Sequence, residues 1–239
     1  MTNPIEIQQK ISERAPEFKH FIDKVLHDSG MDSFIRYFAE KTNVYVFSGV
    51  IRDFLLGEHN ADSVHDYDFV ISGFNHISIP AEVYAQLVYK RNKFGGLKIN
   101  KDSYLFDVWD LEETWGIVNQ RVKKPNAEAL AKSAFFNFSA IVFDYNKSNF
   151  IISKEFCDFY ISKKMDVVYK SNPYVESCIV NSFYYAHQYG FGIGDSLKKW
   201  ILECYSKNAD YETVQVNHFG HVIYENEQIE SLVMSLIQG

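Results

Sequence analysis

The chain has 239 residues, of which 46% are hydrophobic and 23% are charged, enough for one large domain or two small ones. Its formal net charge of −7 argues against a surface that binds long nucleic acids through their phosphates. No apolar run approaches the ~20 residues that span a bilayer, so we expect no membrane association.

The cysteines and the N-terminal residues predict a cytoplasmic protein. Cys157, Cys178 and Cys204 are odd in number and lack CxxC spacing, a pattern typical of reduced thiols. Residues 1–6 have neither the basic start nor the apolar block of a signal peptide. A homo-oligomer or a protein partner is compatible with this composition.

Apolar periodicity, turn residues and capping residues predict the secondary structure. The predicted helices are, in chain order, 5–28, 31–41, 50–56, 80–90, 126–132, 155–164, 174–189, 195–207 and 225–237. The predicted strands are 44–47, 67–72, 94–99, 104–109, 138–143 and 150–152.

Strands and helices alternate in the first part of the chain, whereas the strand signals stop after about residue 154. This order predicts an α+β fold, a mixed sheet flanked by helices and followed by a small all-helical lobe. The predicted domains are residues 1–153, with the N-terminal helices and a catalytic head, and residues 154–239, a helical lobe.

The most informative stretch is the small-residue turn Ser48-Gly49, followed by the acids Asp66 and Asp68. Small residues at a helix N-terminus let the backbone approach phosphates, and the free N–H groups there attract anions. Asp66 and Asp68 are two positions apart at a predicted strand, so both side chains leave one face and can share a cation. The pattern predicts a site for a triphosphate and its magnesium.

A site for two metal ions needs a third carboxylate from a neighbouring strand. Asp107 is the natural candidate, and Asp110 is the alternative. Two Mg²⁺ ions about 3.5–4 Å apart would activate an acceptor hydroxyl and offset the charge on the leaving pyrophosphate, and Mn²⁺ is an alternative metal. Asp66, Asp68 and Asp107 are therefore the predicted catalytic residues and metal ligands.

Four residues are predicted to bind the nucleotide: Ser48, Gly49, Arg52 and Lys98. Ser48 can add a hydroxyl contact to those of the backbone. Arg52 lies one helical turn further on and can reach a phosphate with its fork of donors. Its neighbour Asp53 is expected to hold Arg52 or a nearby backbone amide. Lys98, near the acidic edge, is expected to touch the triphosphate.

These residues resemble the polymerase-β-like nucleotidyltransferase superfamily, and especially the head domain of CCA-adding enzymes and bacterial poly(A) polymerases. Residues 48–57 resemble the family's glycine turn and VRDLLLG element, and Asp66-Tyr67-Asp68 matches its DxD. Residues 94–98 and Asp107 resemble the next strands of that head. Residues 136–141 resemble an RRDFTINA element, and 188–191 the end of the first neck helix.

The resemblance implies a template-independent enzyme that transfers NMP or dNMP from an NTP or dNTP, such as ATP, to an acceptor hydroxyl. The acceptor would be a nucleic-acid 3′ end, a short oligonucleotide or a protein side chain. Small bacterial members work in toxin–antitoxin or phage-defence settings, and the compact chain resembles them. The family's base-reading arginines are replaced by residues such as Cys178 and Asn181, so a catalytically silent nucleotide-binding or regulatory module is the alternative.

Overall fold

The structure, a computed structural model, describes residues 4–57, 65–84, 87–92, 95–101 and 103–238. The first residue of the predicted strand 94–99 lies outside these ranges. The chain divides into two compact units. The sheet unit comprises Met1–Ala134 and Phe138–Cys157, and the helical unit comprises Phe135–Asn137 and Asp158–Gly239. The predicted division into residues 1–153 and 154–239 stays a prediction.

The helices and strands follow one another along the chain from Pro4 to Gln238. The helices are α1 (Pro4–Ser12), α2 (Ala15–Asp28), α3 (Asp32–Ala39), α4 (Gly49–Leu56), α5 (Ala81–Tyr84), α6 (Trp115–Asn119), α7 (Ala127–Ala131), α8 (Lys154–Ser162), α9 (Val175–Tyr189), α10 (Asp195–Cys204), α11 (Tyr211–Phe219) and α12 (Asn226–Gln238). The strands are β1 (Val44–Phe47), β2 (His65–Ile71), β3 (Tyr89–Arg91), β4 (Leu97–Lys101), β5 (Tyr104–Asp110), β6 (Ile141–Asp144), β7 (Asn149–Ile152), β8 (Lys164–Met165) and β9 (Gly192–Ile193).

Within the described ranges, seven strands form one mixed sheet in the order β3-β4-β5-β2-β1-β6-β7. Strands β2 and β5 run parallel, and the other neighbouring pairs are antiparallel. A parallel pair needs a crossover connection, which here contains α5, β3 and β4. The mixed sheet flanked by helices, with a mostly helical C-terminal region, confirms the predicted fold class.

Side chains alternate between the two faces of the sheet along each strand, and helices pack against part of each face. On one face, Phe18 of α2 packs edge-on against Phe143 of β6, with ring centroids 4.8 Å apart. The preceding residue, Val142, lies in an apolar cluster that also contains Leu130 of α7. Helices α2 and α7 therefore cover opposite faces of the sheet.

Helix α4, which follows the small-residue turn, is fixed at its C-terminal end. Gly57 adopts the left-handed conformation at φ 76°, and its N–H donates to the carbonyls of Asp53 and Phe54. Arg14, just before α2, donates to the carbonyl oxygens of Phe54 and Leu55 at 3.3 and 3.2 Å. Its guanidinium thus stabilises the negative end of the helix dipole.

Several predicted elements are wrong in type or extent. Among the described residues of the predicted helix 80–90, Ala81–Tyr84 is helical, whereas Tyr89–Arg91 is the edge strand β3. These three strand residues are all exposed, so they lack the apolar alternation that marks a strand, and pairing with β4 decides their conformation. The helix predicted over 5–28 is interrupted between α1 and α2, just before Pro16.

The helical unit contains one helix that apolar spacing does not predict. Helix α11 begins where the Asp210 side chain accepts the N–H of Thr213. Gln215 in α11 is fully buried and donates to the carbonyls of Tyr211 and Tyr224. Its amide oxygen accepts the N–H groups of Ile223 and Tyr224. This polar network replaces the apolar stripe that would identify the helix from sequence.

Two further observations bear on the predicted setting of the protein. In the described parts of the chain, no helix has both the length and the apolarity needed to cross a bilayer. Cys157, Cys178 and Cys204 are all free thiols. Burial raises the pKa of the Cys178 thiol to about 12, which keeps it protonated and unreactive near neutral pH.

Candidate active site

Strand β2, an interior strand of the sheet, presents two carboxylates on one face. Asp66 is exposed and Asp68 is half-buried, whereas Tyr67 and Phe69 between and after them are buried on the other face. The alternation follows from the strand geometry that the sequence predicts. Asp66 and Asp68 therefore share a face, as expected for two residues that serve one ligand.

Strand β5 brings the third predicted carboxylate next to these two. In the parallel pairing of β2 with β5, Asp68 lies directly beside Asp107, and Asp66 lies beside Leu105. Burial raises the pKa of Asp68 well above its ordinary value, and the negative charges of Asp107 and Asp66 raise it further. Three acids that repel one another at one place are costly unless a cation binds there.

A lysine from the next strand neutralises part of this charge. Lys98 of β4 is the cross-strand partner of Asp107, and its Nζ lies 3.1 Å from Asp107 Oδ2. Beside this ion pair lies a cavity of about 250 Å³, which Asp66, Lys90, Lys98 and Asp107 help to line. Asp66, Asp107 and Lys98 thus face a space that a ligand can enter.

The three carboxylates are ligands of the type that binds magnesium, but their side chains are not arranged around a common point. Carboxylate oxygens are hard ligands of the kind that Mg²⁺ prefers, and Asp68 and Asp107 are immediate neighbours. In the ranges that the structure describes, no three His, Cys, Asp or Glu side chains already converge as a metal site. One of the three acids, Asp107, is turned to Lys98 instead.

The Ser48-Gly49 turn lies at the level of the first acids. Phe47, the last residue of β1, pairs with Asp68, so the chain leaves β1 beside the start of β2. Ser48 adopts φ 65° and ψ −126°, a conformation that favours glycine, and its Oγ donates to Ser139 Oγ at 3.1 Å. Gly49 then begins α4, whose positive end can bind an anion.

Arg52 occupies a different environment from the one predicted. The residue is 4% exposed, and its guanidinium forms an ion pair with Asp53, with Nη2 2.6 Å from Asp53 Oδ1. It also lies over the ring of Phe138, 5.1 Å from the centroid. Asp53 therefore holds Arg52, as the sequence suggests. Contact of Arg52 with a phosphate stays a prediction, and it would require this buried pair to open.

The alternative third acid, Asp110, has a structural environment. It is 2% exposed, and its carboxylate accepts the N–H groups of Asn75 and Glu112 at 2.8 and 3.1 Å. Glu112 in turn accepts the N–H of Gly73 at 3.0 Å. Burial and a hydrogen bond with Asp110 raise the pKa of Glu112. These two acids anchor the chain after β2, and the assignment of Asp107 as the third ligand stays a prediction.

Two residues of the site are missed by sequence reasoning. Ser139 lies 91 positions from its partner Ser48, and no spacing rule connects them. The only signal for Ser139 is its place in the segment 136–141 that resembles the family's RRDFTINA element. Lys90 falls in the predicted helix 80–90, so its place in β3 beside the acids depends on a strand that the sequence does not predict.

Among known proteins, similarity is found at the level of three-dimensional structure. No protein-family model and no curated protein sequence matches the chain. An apo tRNA-processing enzyme is similar over 94% of this chain, with a TM-score of 0.59 and 16% identity, and the match covers 57% of that enzyme. A tRNA nucleotidyltransferase complexed with a primer tRNA and an incoming ATP analogue is similar over 91% of the chain and 60% of its own, with a TM-score of 0.59 and 16% identity.

A CCA-adding enzyme with ATP gives a similar result, with a TM-score of 0.57 and 14% identity over 90% of this chain and 54% of that one. The chain thus spans little more than half the length of the structures that it matches. At these identities the likeness establishes the fold. The predicted resemblance is confirmed at that level: the chain has the fold of CCA-adding tRNA nucleotidyltransferases.

Proposed function

We propose that the chain is a nucleotidyltransferase that depends on divalent cations. It transfers NMP or dNMP from a nucleoside triphosphate to an acceptor hydroxyl and releases pyrophosphate. The observation that carries the proposal is the register that sets Asp68 beside Asp107 and beside the end of β1, where the Ser48-Gly49 turn begins. The shared fold with tRNA nucleotidyltransferases supports the same class of reaction.

Asp66, Asp68 and Asp107 would hold two Mg²⁺ ions, or Mn²⁺ in their place. Bound there, the ions would favour deprotonation of the acceptor hydroxyl and offset negative charge on the leaving pyrophosphate. The backbone N–H groups at the start of α4 would bind the phosphates, and the Ser48 hydroxyl would add a further contact. Lys98 supplies a nearby positive charge for the triphosphate.

The substrates are part of the proposal. The structures with a similar fold include complexes with ATP, with CTP, and with a primer tRNA and an ATP analogue. For this chain we propose an NTP or dNTP as donor. The acceptor would be the 3′ end of a short nucleic acid or a protein hydroxyl.

One observation favours a second candidate, a silent nucleotide-binding or regulatory module. Asp107 is paired with Lys98, so the third carboxylate is engaged within the chain. A protein that only binds nucleotide could keep that pair permanently. The two candidates differ in one measurable product, because only the enzyme releases pyrophosphate.

The test is incubation of the full chain with each labelled NTP or dNTP, Mg²⁺, and a pool of short RNA, short DNA and protein. We expect pyrophosphate release and a labelled acceptor, both lost in Asp68→Asn. Asp28→Asn, which removes a charge at the exposed end of α2, is the matched control and should retain turnover. Nucleotide binding without pyrophosphate would favour the silent module, and equal turnover in Asp68→Asn would refute the assignment of the acids.

A further inference from the structure

Lys98 and Asp107 form an ion pair at the one point where the proposed metal site is incomplete. They are directly opposite each other in the antiparallel pairing of β4 with β5, and both side chains leave the same face of the sheet. Lys98 Nζ lies 3.1 Å from Asp107 Oδ2, with the two side chains 66% and 36% exposed. A pair this exposed contributes little to stability, so its position beside the acids calls for another role.

A second lysine makes the arrangement of charge unusual. Lys90 of β3 is the cross-strand partner of Lys98, and both line the cavity that contains Asp66 and Asp107. Like charges directly opposite each other on neighbouring strands are unfavourable. Among the residues that the structure describes, Lys90 has no ion-pair partner. Asp107 therefore stabilises Lys98 against the repulsion from Lys90.

We propose that Lys98 occupies the carboxylate of Asp107 in the ligand-free protein and is displaced when a divalent cation binds. The inference rests on the proposed function, because it takes Asp107 to be a cation ligand. An ammonium group and a metal ion cannot both occupy the same carboxylate oxygen. Lys98 is thus a positioning residue that lowers the affinity of the site for the cation alone.

Displacement of Lys98 has a consequence for the second ligand. Once Asp107 coordinates the cation, Lys98 loses its ion pair with Asp107, while Lys90 still lies on the neighbouring strand beside the same cavity. An anionic group that enters this cavity then relieves the repulsion between the two lysines. Cation binding therefore favours binding of a phosphate group, and linkage requires the reverse as well.

The experiment measures each ligand separately in the full-length chain. Mn²⁺ is titrated alone and followed through the electron paramagnetic resonance signal of the free ion. ATP is titrated in the presence of EDTA and followed by calorimetry. Lys98→Met removes the charge and keeps the length of the side chain. Lys101→Met is the matched control, since Lys101 lies on the same strand and its side chain leaves the opposite face.

We expect Lys98→Met to bind Mn²⁺ about 5- to 10-fold more tightly, the effect of losing one competing charge at a partly exposed carboxylate. The same variant should bind metal-free ATP about 5-fold more weakly. Lys101→Met should change both constants less than 2-fold. Opposite changes for the two ligands in Lys98→Met, combined with unchanged constants in Lys101→Met, would distinguish Lys98 from a merely structural lysine.

Equal or weaker Mn²⁺ binding in Lys98→Met, or an equal gain in Lys101→Met, would overturn the inference. Asp68→Asn separates this failure from failure of the proposed function. If Mn²⁺ binds the wild type and is lost in Asp68→Asn, the metal site stands and only the role of Lys98 is refuted. If Asp68→Asn binds Mn²⁺ as the wild type does, the metal site itself is wrong and the inference falls with it.

Discussion

Replacing Gly49 with alanine separates the proposed phosphate contact from the stability of α4. A Cβ atom at Gly49 would meet only Arg52 Nη2, at 3.8 Å, which is an ordinary van der Waals distance. Alanine is a better helix former than glycine by up to about 1 kcal/mol at an interior position and by less at the first. The free energy of unfolding should therefore stay constant or rise by less than about 1 kcal/mol.

The same methyl group would obstruct a phosphate that approaches the N–H groups at the start of the helix. Loss of one charged hydrogen bond costs about 1.5–3 kcal/mol, so we expect ATP affinity to fall about 10- to 100-fold. Urea denaturation measures the stability, and calorimetry with ATP and Mg²⁺ measures the affinity.

Gly116→Ala is the contrasting control for this variant. Its Cβ would lie 2.6 Å from Cβ of Ser133 and 3.0 Å from the Ser133 backbone, so stability should fall while the folded molecules bind ATP normally. Unchanged ATP affinity in Gly49→Ala would refute the proposed phosphate contact at this turn.

Three further changes test the carboxylates and the helical unit. Asp107→Asn should lower the turnover rate at least 100-fold with the fold intact. Asp110→Asn should instead lower the stability by about 1–2 kcal/mol and leave the rate within a few-fold, because the Asp110 carboxylate accepts two backbone N–H groups. The opposite result in steady-state kinetics would assign the third ligand to Asp110. Glu112→Gln should raise the stability at pH 7 by a few tenths to about 1 kcal/mol, since the amide keeps a hydrogen for Asp110 at every pH. Because the pKa of Glu112 is raised, its stabilising proton is present at low pH and is lost as the pH rises through the folded-state pKa. The stability gained by Glu112→Gln, measured by thermal unfolding, should therefore vanish near pH 4. A gain in stability that persists at about pH 4 would contradict this prediction. Gln215→Glu should destabilise the helical unit by about 2–4 kcal/mol, because a carboxylate would face two carbonyl groups. Faster amide hydrogen exchange over residues 211–225 would show this loss of stability. Unchanged hydrogen exchange there would contradict the structural role given to Gln215.

The parts of the fold that the sequence predicts best are those whose signals are local. Val44–Phe47, the turn at Ser48 and the helix closed by Gly57 follow from strand propensity, a small-residue turn and a C-terminal glycine, and the structure confirms them. The face shared by Asp66 and Asp68 follows from strand alternation alone. Each of these conclusions depends on residues only a few positions apart.

The missed features depend on pairing between distant segments. All three residues of strand β3 are exposed and the strand forms through its pairing with β4, so no apolar pattern marks it. The partnership of Lys98 with Asp107 follows from the register of two strands, and a shift of one residue would separate the two side chains. Buried Arg52 lies against Phe138, which is far along the chain. The sequence around Arg52 is the same whether its guanidinium binds a phosphate or packs in the protein interior, so it cannot distinguish the two.

The contact between Arg14 and α4 gives the N-terminal helices a part in the proposed chemistry. Arg14 holds the carbonyl end of the helix whose other end begins at Gly49, and Phe18 packs against Phe54 in the same helix. Cleavage after α2 would therefore release both restraints on α4 while leaving every predicted metal ligand in the remaining chain. Loss of these contacts would weaken the restraints on the helix whose N-terminus we propose to bind phosphate, without changing Asp66, Asp68 or Asp107.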